Sequence, residues 1–185
     1  MKPAIIPVNE KERLEELYRY DILDTAYEET FNQIVQLASA VCDSPISLIT
    51  LLDKDRQWFK AKKGMEGEGT GRDISFCSHT ILDDELMEIQ DALTDERFFD
   101  NPLVTGNPNI RFYAGMPIVT KKGLPLGALC VIDNKPKNLS PEQKFVLKVL
   151  AGQTMQLIEL HKKHVEINTL VLKRKKKFFL LFRMM

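Results

Sequence analysis

Apolar positions recur with two different periods along this chain, and each change of period marks an element. From Asn9 to about Tyr20, Leu14 and Leu17 give a short amphipathic helix an apolar stripe, and the Asn9 side chain can accept from free N–H groups of its first turn. After a break at Asp24-Thr25, Phe31, Ile34, Val35, Ala38, Val41 and Cys42 fall on one face of a second helix, which Pro45 prevents from continuing. Ile46 to Asp53 is nearly all aliphatic or β-branched, as in a strand covered on both faces. Gln57 to Ala61 alternates, and Lys54-Asp55 between the two makes a hairpin the economical reading. Further on, Ser75 to Leu82 predicts one or two helical turns and Glu88 to Ala92 a short strand; Asp95 to Asn109 predicts a loop with a helical turn at Arg97 to Asp100. Phe112 to Thr120 and Leu126 to Asp133 read as paired strands, joined at Lys121-Lys122-Gly123 by a glycine suited to a tight hairpin. Ser140-Pro141-Glu142-Gln143 then carries a helix-start signature: Ser as cap, Pro in the first helical position, and Gln three residues on to reach back. Val146, Leu150, Leu157, Leu160, Ile167 and Val171 occupy heptad positions, interrupted by Gln153 and His164, so this helix is expected to reach about Val171 and to project beyond the fold.

This order predicts an α+β sandwich, a mainly antiparallel sheet with helices packed mostly on one face and the long middle segment over the other. The length of 185 residues allows one such unit plus an extension. We divide it into an N-terminal extension (1–8), the domain (9–160) and a C-terminal extension (161–185). With hydrophobic residues at 44% and charged residues at 28%, disorder and collagen-like repeats are excluded. Basic and acidic residues balance at 26 each, which gives no reason to expect a nucleic-acid partner. The balance conceals an acidic body and a basic tail, where Lys173 to Lys177 precede Phe178-Phe179-Leu180-Leu181-Phe182. Such a tail suits shallow contact with an anionic membrane surface, but the frayed end of a coiled coil is the better reading. It is too short to span a bilayer, and the opening residues lack a secretory pattern, so a cytoplasmic location is the expectation. Cys42, Cys77 and Cys130, odd in number and widely spaced, fit reduced thiols.

The residues resemble the GAF domains of bacterial sensory proteins, in particular the subgroup that precedes histidine kinase or GGDEF output domains. The likeness lies in Glu12-Arg13-Leu14 through Tyr20-Asp21-Ile22-Leu23-Asp24-Thr25, Pro45 to Ile49, Asp53 through Arg56-Gln57-Trp58-Phe59-Lys60, Ser75-Phe76-Cys77-Ser78-His79, and Asp95-Glu96-Arg97-Phe98 through Asn101-Pro102-Leu103-Val104. It continues in Ile110 to Gly115 and Leu126 to Asp133. The resemblance implies a six-stranded antiparallel sheet with loops and short helices over its second face and a small-molecule pocket beneath them. It also implies a homodimer formed through the first and last helices, with the signal passing along the last helix to an output domain or to a kinase in trans.

Candidate chemistry is sparse. Cys77-Ser78-His79 places a thiol near an imidazole, the minimum for a small thiol enzyme, and free-standing relatives resembling free methionine sulfoxide reductases give that alternative a form. The closely placed cysteines of those reductases are absent here, as is the Cys-His adjacency of bilin-binding relatives, so neither catalysis nor a bound cofactor is expected. His161 and His164 share one side of a helix, but nothing in the sequence joins them to Cys77 and His79, and no metal is expected. Gly64, Gly67, Gly69 and Gly71 lack the Lys-Ser or Lys-Thr of a phosphate loop and read as a mobile loop over the pocket. The resemblance places Phe76, His79, Asp91, Phe98, Arg111 and Tyr113 around that pocket, aromatic walls with a few fixed polar groups, and Arg111 is suited to clamp a carboxylate or phosphate. The resulting expectation is a non-catalytic sensory domain with an unidentified small ligand. The alternatives are a thiol enzyme using Cys77 and a ligand-free dimerisation scaffold.

Overall fold

The computed structural model describes the backbone of residues 1–183 and the side chains of residues 1–176. Two helices, α1 (Glu10–Arg19) and α2 (Glu29–Val41), precede the hairpin β1 (Ile46–Leu52) and β2 (Arg56–Lys63) and the short strand β3 (Gly69–Gly71). Then come α3 (Cys77–Thr80), β4 (Met87–Ile89), α4 (Pro102–Thr105), the hairpin β5 (Phe112–Val119) and β6 (Pro125–Asp133), and the long α5 (Pro141–Arg183). The six strands form one antiparallel sheet in the order β3-β2-β1-β6-β5-β4.

Strand alternation divides the interior into two layers. Ile49, Leu51, Phe112, Ala114, Leu129 and Val131 face the helices, where they meet Leu17, Phe31, Val35, Leu147, Ala151 and Ile158. Leu48, Leu52, Phe59, Tyr113, Cys130 and Ile132 face the other way, into a second core closed by Phe76, Ile81, Phe98, Val104 and Ile110. Both faces of the central strands are covered, as their unbroken apolar runs predict. A bulge in β2, where Ile49 pairs with Ala61 and Thr50 with Phe59, leaves Lys60 without a partner in the ladder. Its ammonium lies against Thr25, Ala26 and Glu28 on the helix side (2.8, 3.1 and 2.6 Å).

Several expectations need correction. The Asn9 side chain makes no capping bond, and the first turn of α1 is bound instead through Glu10, whose carboxylate takes two hydrogen bonds from the buried Arg13 (2.8 Å each) and a third from Arg72. Burial opposes ionisation of Glu10, but these guanidinium groups outweigh it and hold the carboxyl at about 2. The glycine-rich segment divides: Gly69–Gly71 is not a loop but extends the sheet at its β2 edge, whereas Met65 packs against the loop-covered core. The middle loop makes the expected turn near Arg97 to Asp100, with Phe98 N and Phe99 N both donating to Asp95 O (3.0 Å each), and adds a short helix from Pro102, where the Asn101 side chain accepts from Leu103 N (2.9 Å). The Ser140 box forms as read: Gln143 N donates to Ser140 Oγ (3.2 Å) and Ser140 N to Gln143 Oε1 (2.9 Å). α5 runs past Val171, and its heptad positions divide. Val146, Leu150 and Leu157 pack against the body, whereas Leu160, Ile167 and Val171 are exposed. The end of the basic and apolar tail, residues 177–185, lies outside the described side chains.

Candidate functional site

The loop-covered core is organised by Tyr113. Strand alternation turns its ring away from the helices, and Gly115, two residues along on the same face, leaves the ring room to lie flat. A Cβ at Gly115 would sit 2.2 Å from the phenol oxygen. The phenol donates to Cys77 Sγ at 3.2 Å and accepts from Thr80 Oγ1 at 2.7 Å. Phe76 tilts against the Tyr113 ring (5.2 Å between centroids), Phe98 stacks on Phe76 (4.0 Å, 10° between planes), and His79 meets Phe98 edge-on (4.8 Å). Cys130, on β6, brings its sulfur to 3.9 Å from that of Cys77. The covering segments are pinned by polar contacts. Ser75 Oγ accepts from Ser78 N (3.2 Å) at the start of α3, and Asn101 Nδ2 donates to Ile74 O (2.9 Å), tying α4 to the approach to α3.

Four of the six residues assigned from sequence, Phe76, His79, Phe98 and Tyr113, are thus brought together. Phe76, Phe98 and Tyr113 are each no more than 3% exposed, so their rings fill the volume that a planar guest would take. The other two are engaged elsewhere. Asp91 Oδ1 accepts from Leu93 N (3.1 Å) within a turn, and Arg111 Nη1 donates to Val104 O and Ile110 O (2.9 and 3.0 Å), fastening the end of α4. Open clefts lie away from the rings, two of them flanked by arginine. One, of ≈ 550 Å³, is at the β2–β3 edge beside Asp24, Arg56 and Thr70; the other, of ≈ 370 Å³, lies between residues 3–6 and Arg72.

The electrostatics follow from burial. Burial pushes the His79 imidazole below its ordinary value, helped by the Arg97 guanidinium and opposed by the Lys2 carbonyl, which lies 3.1 Å from Nε2. Arg97 is held by Asp95 through two hydrogen bonds (2.9 and 2.7 Å) and covers the outer face of Phe98. For Cys77, burial opposes ionisation, but hydrogen bonds involving Cys130, Thr50 and Tyr113 outweigh it and lower the thiol. The partner thiol of Cys130 is pushed well up by its contact with Cys77 and by burial. His79 takes no part in this arrangement: its Nε2 pairs with the Lys2 carbonyl, so the Cys77–His79 pair read from sequence is not an assembled nucleophile and base. Among the described residues, no cluster of three or more His, Cys, Asp and Glu could hold a metal ion. Thr80, Cys130 and Asn101 belong to this core but are not among the six residues assigned to the site from sequence. The Asn101-Pro102 pair, a helix cap followed by proline, and the Tyr113-x-Gly115 spacing are the signals that could have found its neighbourhood.

A helix-backed antiparallel sheet with a second, loop-closed core defines a class, and the GAF domain model matches residues 26–158; the chain belongs to that family. Over 141 residues it is 44% identical to the protein named cyclic di-GMP phosphodiesterase PA2567 of Pseudomonas aeruginosa. That match covers 76% of this chain but only 24% of the relative, so the chain spans about a quarter of that protein's length. Among solved structures, the GAF domain of an Acinetobacter phosphoenolpyruvate-protein phosphotransferase superposes with a TM-score of 0.60 at 19% identity, over 84% of this chain and 97% of that one. The type II free methionine-R-sulfoxide reductase of Thermoplasma acidophilum gives 0.59 at 14% identity, over 72% and 92%. At these identities the two structures speak for the fold alone.

Proposed function

We propose that this chain is a non-catalytic regulatory module of a cytoplasmic signalling protein, pairing with a second copy along α5 and relaying the state of its body through that helix. The observation that carries the reading is the course of α5. Its first half is docked on the sheet through Leu147, Ala151, Met155 and Ile158, after which the same unbroken helix leaves the body with Leu160, Ile167, Leu170 and Val171 exposed. From residue 160 to 176 it extends roughly 25 Å at the rise of an α-helix. An apolar stripe of that length in water is suited to a partner helix, and a shift of ~1–3 kcal/mol in its pairing changes an output several-fold or more. The identity to a protein named as a cyclic di-GMP phosphodiesterase supports an enzyme of that kind as the output, in the same polypeptide or in trans.

The input in this proposal is a small molecule at the loop-covered face, contacted by Phe76, His79, Phe98 and Tyr113, with Asp91 and Arg111 joining only if they leave their present backbone partners. The packing sets its condition: the Phe76–Phe98 stack has to part, so a ligand binds by replacing a ring and not by filling a standing hollow. Sedimentation equilibrium tests the relay. Leu157 packs against the body's own core, so the cleaner variant is Leu160→Glu with Ile167→Glu, which should convert a dimer to a monomer without loss of fold. A wild-type chain that is monomeric at all concentrations, or a variant that remains dimeric, refutes the pairing. Native mass spectrometry of protein purified from its host tests the input. A retained small molecule supports it; a bare dimer that no added metabolite stabilises reduces the module to a dimerisation scaffold.

A further inference from the structure

We propose that Cys77 and Cys130 form an oxidation site, two buried thiols on facing elements that a small peroxide converts into an intramolecular disulfide joining α3 to β6. The inference goes beyond the relay and does not depend on it. Both thiols are inside the loop-covered core, at 2% and 0% exposure, with their sulfurs 3.9 Å apart. A disulfide holds its sulfurs about 2.0 Å apart, so closure asks for a movement of about 2 Å shared between two side chains. Cys77 sits on the four-residue helix α3 within the covering segment, which is better able to give than β6, held between β1 and β5. Tyr113 directs its hydroxyl at the Cys77 sulfur, and that contact favours the thiolate as the attacking form. Cys42 packs in the other core, on the far side of the sheet, and provides an internal reference.

The reaction balances without a cofactor. The Cys77 sulfur attacks one oxygen of hydrogen peroxide, the O–O bond breaks, and the Cys77 proton leaves with the departing oxygen as water, giving a sulfenic acid. The Cys130 sulfur attacks that sulfur; the S–O bond breaks, and the expelled hydroxide takes the Cys130 proton and leaves as a second water. Two electrons pass from the thiols to the peroxide. Burial selects the oxidant, because a small uncharged molecule reaches sulfur that is 2% exposed, whereas oxidised glutathione is too large and too charged. The bond would span 53 residues of chain, clamping the covering segment to the strand that leads to the Ser140 cap, and would take from Tyr113 the thiol that accepts its proton.

The test uses the whole purified chain, exposed to hydrogen peroxide, unfolded in an alkylating agent and digested. The expected product is a peptide pair linked Cys77 to Cys130, with a mass lower by two hydrogens, Cys42 alkylated, full reversal by dithiothreitol, and no reaction with oxidised glutathione. A Cys130→Ser chain should stop at a Cys77 sulfenic acid that dimedone traps. Three results overturn the proposal: Cys77 oxidised to a sulfinic acid beside a free Cys130, a disulfide involving Cys42 or two molecules, or all three thiols alkylated after peroxide. The wild-type map decides the matter even if the Cys130 variant fails to fold.

Discussion

Replacing Phe98 by alanine separates a structural ring from a movable lid. Phe98 is 1% exposed, stacked on Phe76 at 4.0 Å, met by His79 at 4.8 Å, and covered by the Arg97 guanidinium at 5.1 Å. Truncating a buried phenylalanine costs about 3–5 kcal/mol through lost transfer free energy and the cavity left behind. The value here belongs in the upper half, because the stack and the edge contact are each worth ~0.5–1.5 kcal/mol beyond burial. At ~2–4 °C per kcal/mol for a chain of this size, a loss of about 4 kcal/mol lowers Tm by roughly 8–16 °C. Urea unfolding followed through Trp58, the single tryptophan, measures the change, with calorimetry as a second reading. The second arm uses the cavity. Benzene or indole should raise the Tm of the variant and leave the wild type unmoved, since an apolar cavity of ring size stays dry and accepts such guests. A loss below about 1 kcal/mol at unchanged m would refute the argument, because a ring that costs so little to remove is not packed. Equal stabilisation of the wild type by indole would refute it from the other side, by showing a hollow that the native rings do not fill.

Gly115→Ala should destabilise by about 1–3 kcal/mol, since the added methyl meets the Tyr113 ring; Gly115→Ala with Tyr113→Leu should recover much of that loss in urea melts, and additive losses would refute the contact. Ser140→Ala removes the hydroxyl that caps α5 and should cost about 1 kcal/mol, read in the same melts; no change would mean that the cap contributes nothing. For Glu10 the folded carboxyl lies at about 2, below its ordinary 4.5, so its contribution is complete above about 4.5 and is lost as pH falls toward 2. The stability of the wild type should therefore fall more steeply than that of Glu10→Gln across that window, and parallel curves would contradict the buried Glu10–Arg13–Arg72 cluster.

Periodicity made the helices, the hairpins and the two-sided burial of the central strands legible, because those features depend on which face of an element is apolar. What periodicity could not show is where irregular backbone goes. Gly64 to Gly71 reads as a lid since glycine carries no apolar signal, yet Gly69–Gly71 adds an edge strand through backbone pairing alone. The turn at Arg97 to Asp100 is legible, but the helix that follows it from Pro102 is not, because its cap at Asn101 is a single side-chain bond with no period to announce it. The α5 heptad was read as one seam, but the sheet takes its first half, so Val146, Leu150 and Leu157 are spent within the body and the free stripe begins near Leu160. At the candidate site the resemblance pointed to aromatic residues that do gather. It could not say that they would stack on one another, since a ring that lines a hollow and a ring that fills one look alike in a sequence. Nor could it place Asp91 and Arg111, whose hydrogen bonds are to nearby backbone.

Within the proposed relay, the point at which α5 leaves the body is better placed than its capped start to couple body and helix. Among the described residues Ile158 is the last fully buried one, and Leu160 is already exposed. Between and just beyond them, Glu159 accepts from the Tyr20 hydroxyl at 2.7 Å, His161 reaches the Asp21 carbonyl at 3.2 Å and Glu28 at 3.4 Å, and the Lys162 ammonium lies over the Tyr20 ring. Contacts of this kind at the edge of the body are individually worth little. Glu28 is different, because it also binds Lys60, whose side chain is wholly buried and which sits at the β2 bulge. Breaking that pair would leave an ammonium unpartnered by charge in the interior, a cost well above that of a surface pair. The segment from Tyr20 to Glu28 is therefore fastened at one end to the sheet and at the other to the first turn of the free helix. If the Lys60–Glu28 pair holds, a displacement of β2 carries that segment with it, and the strain falls on the Tyr20–Glu159 and His161 contacts where the apolar stripe of α5 begins.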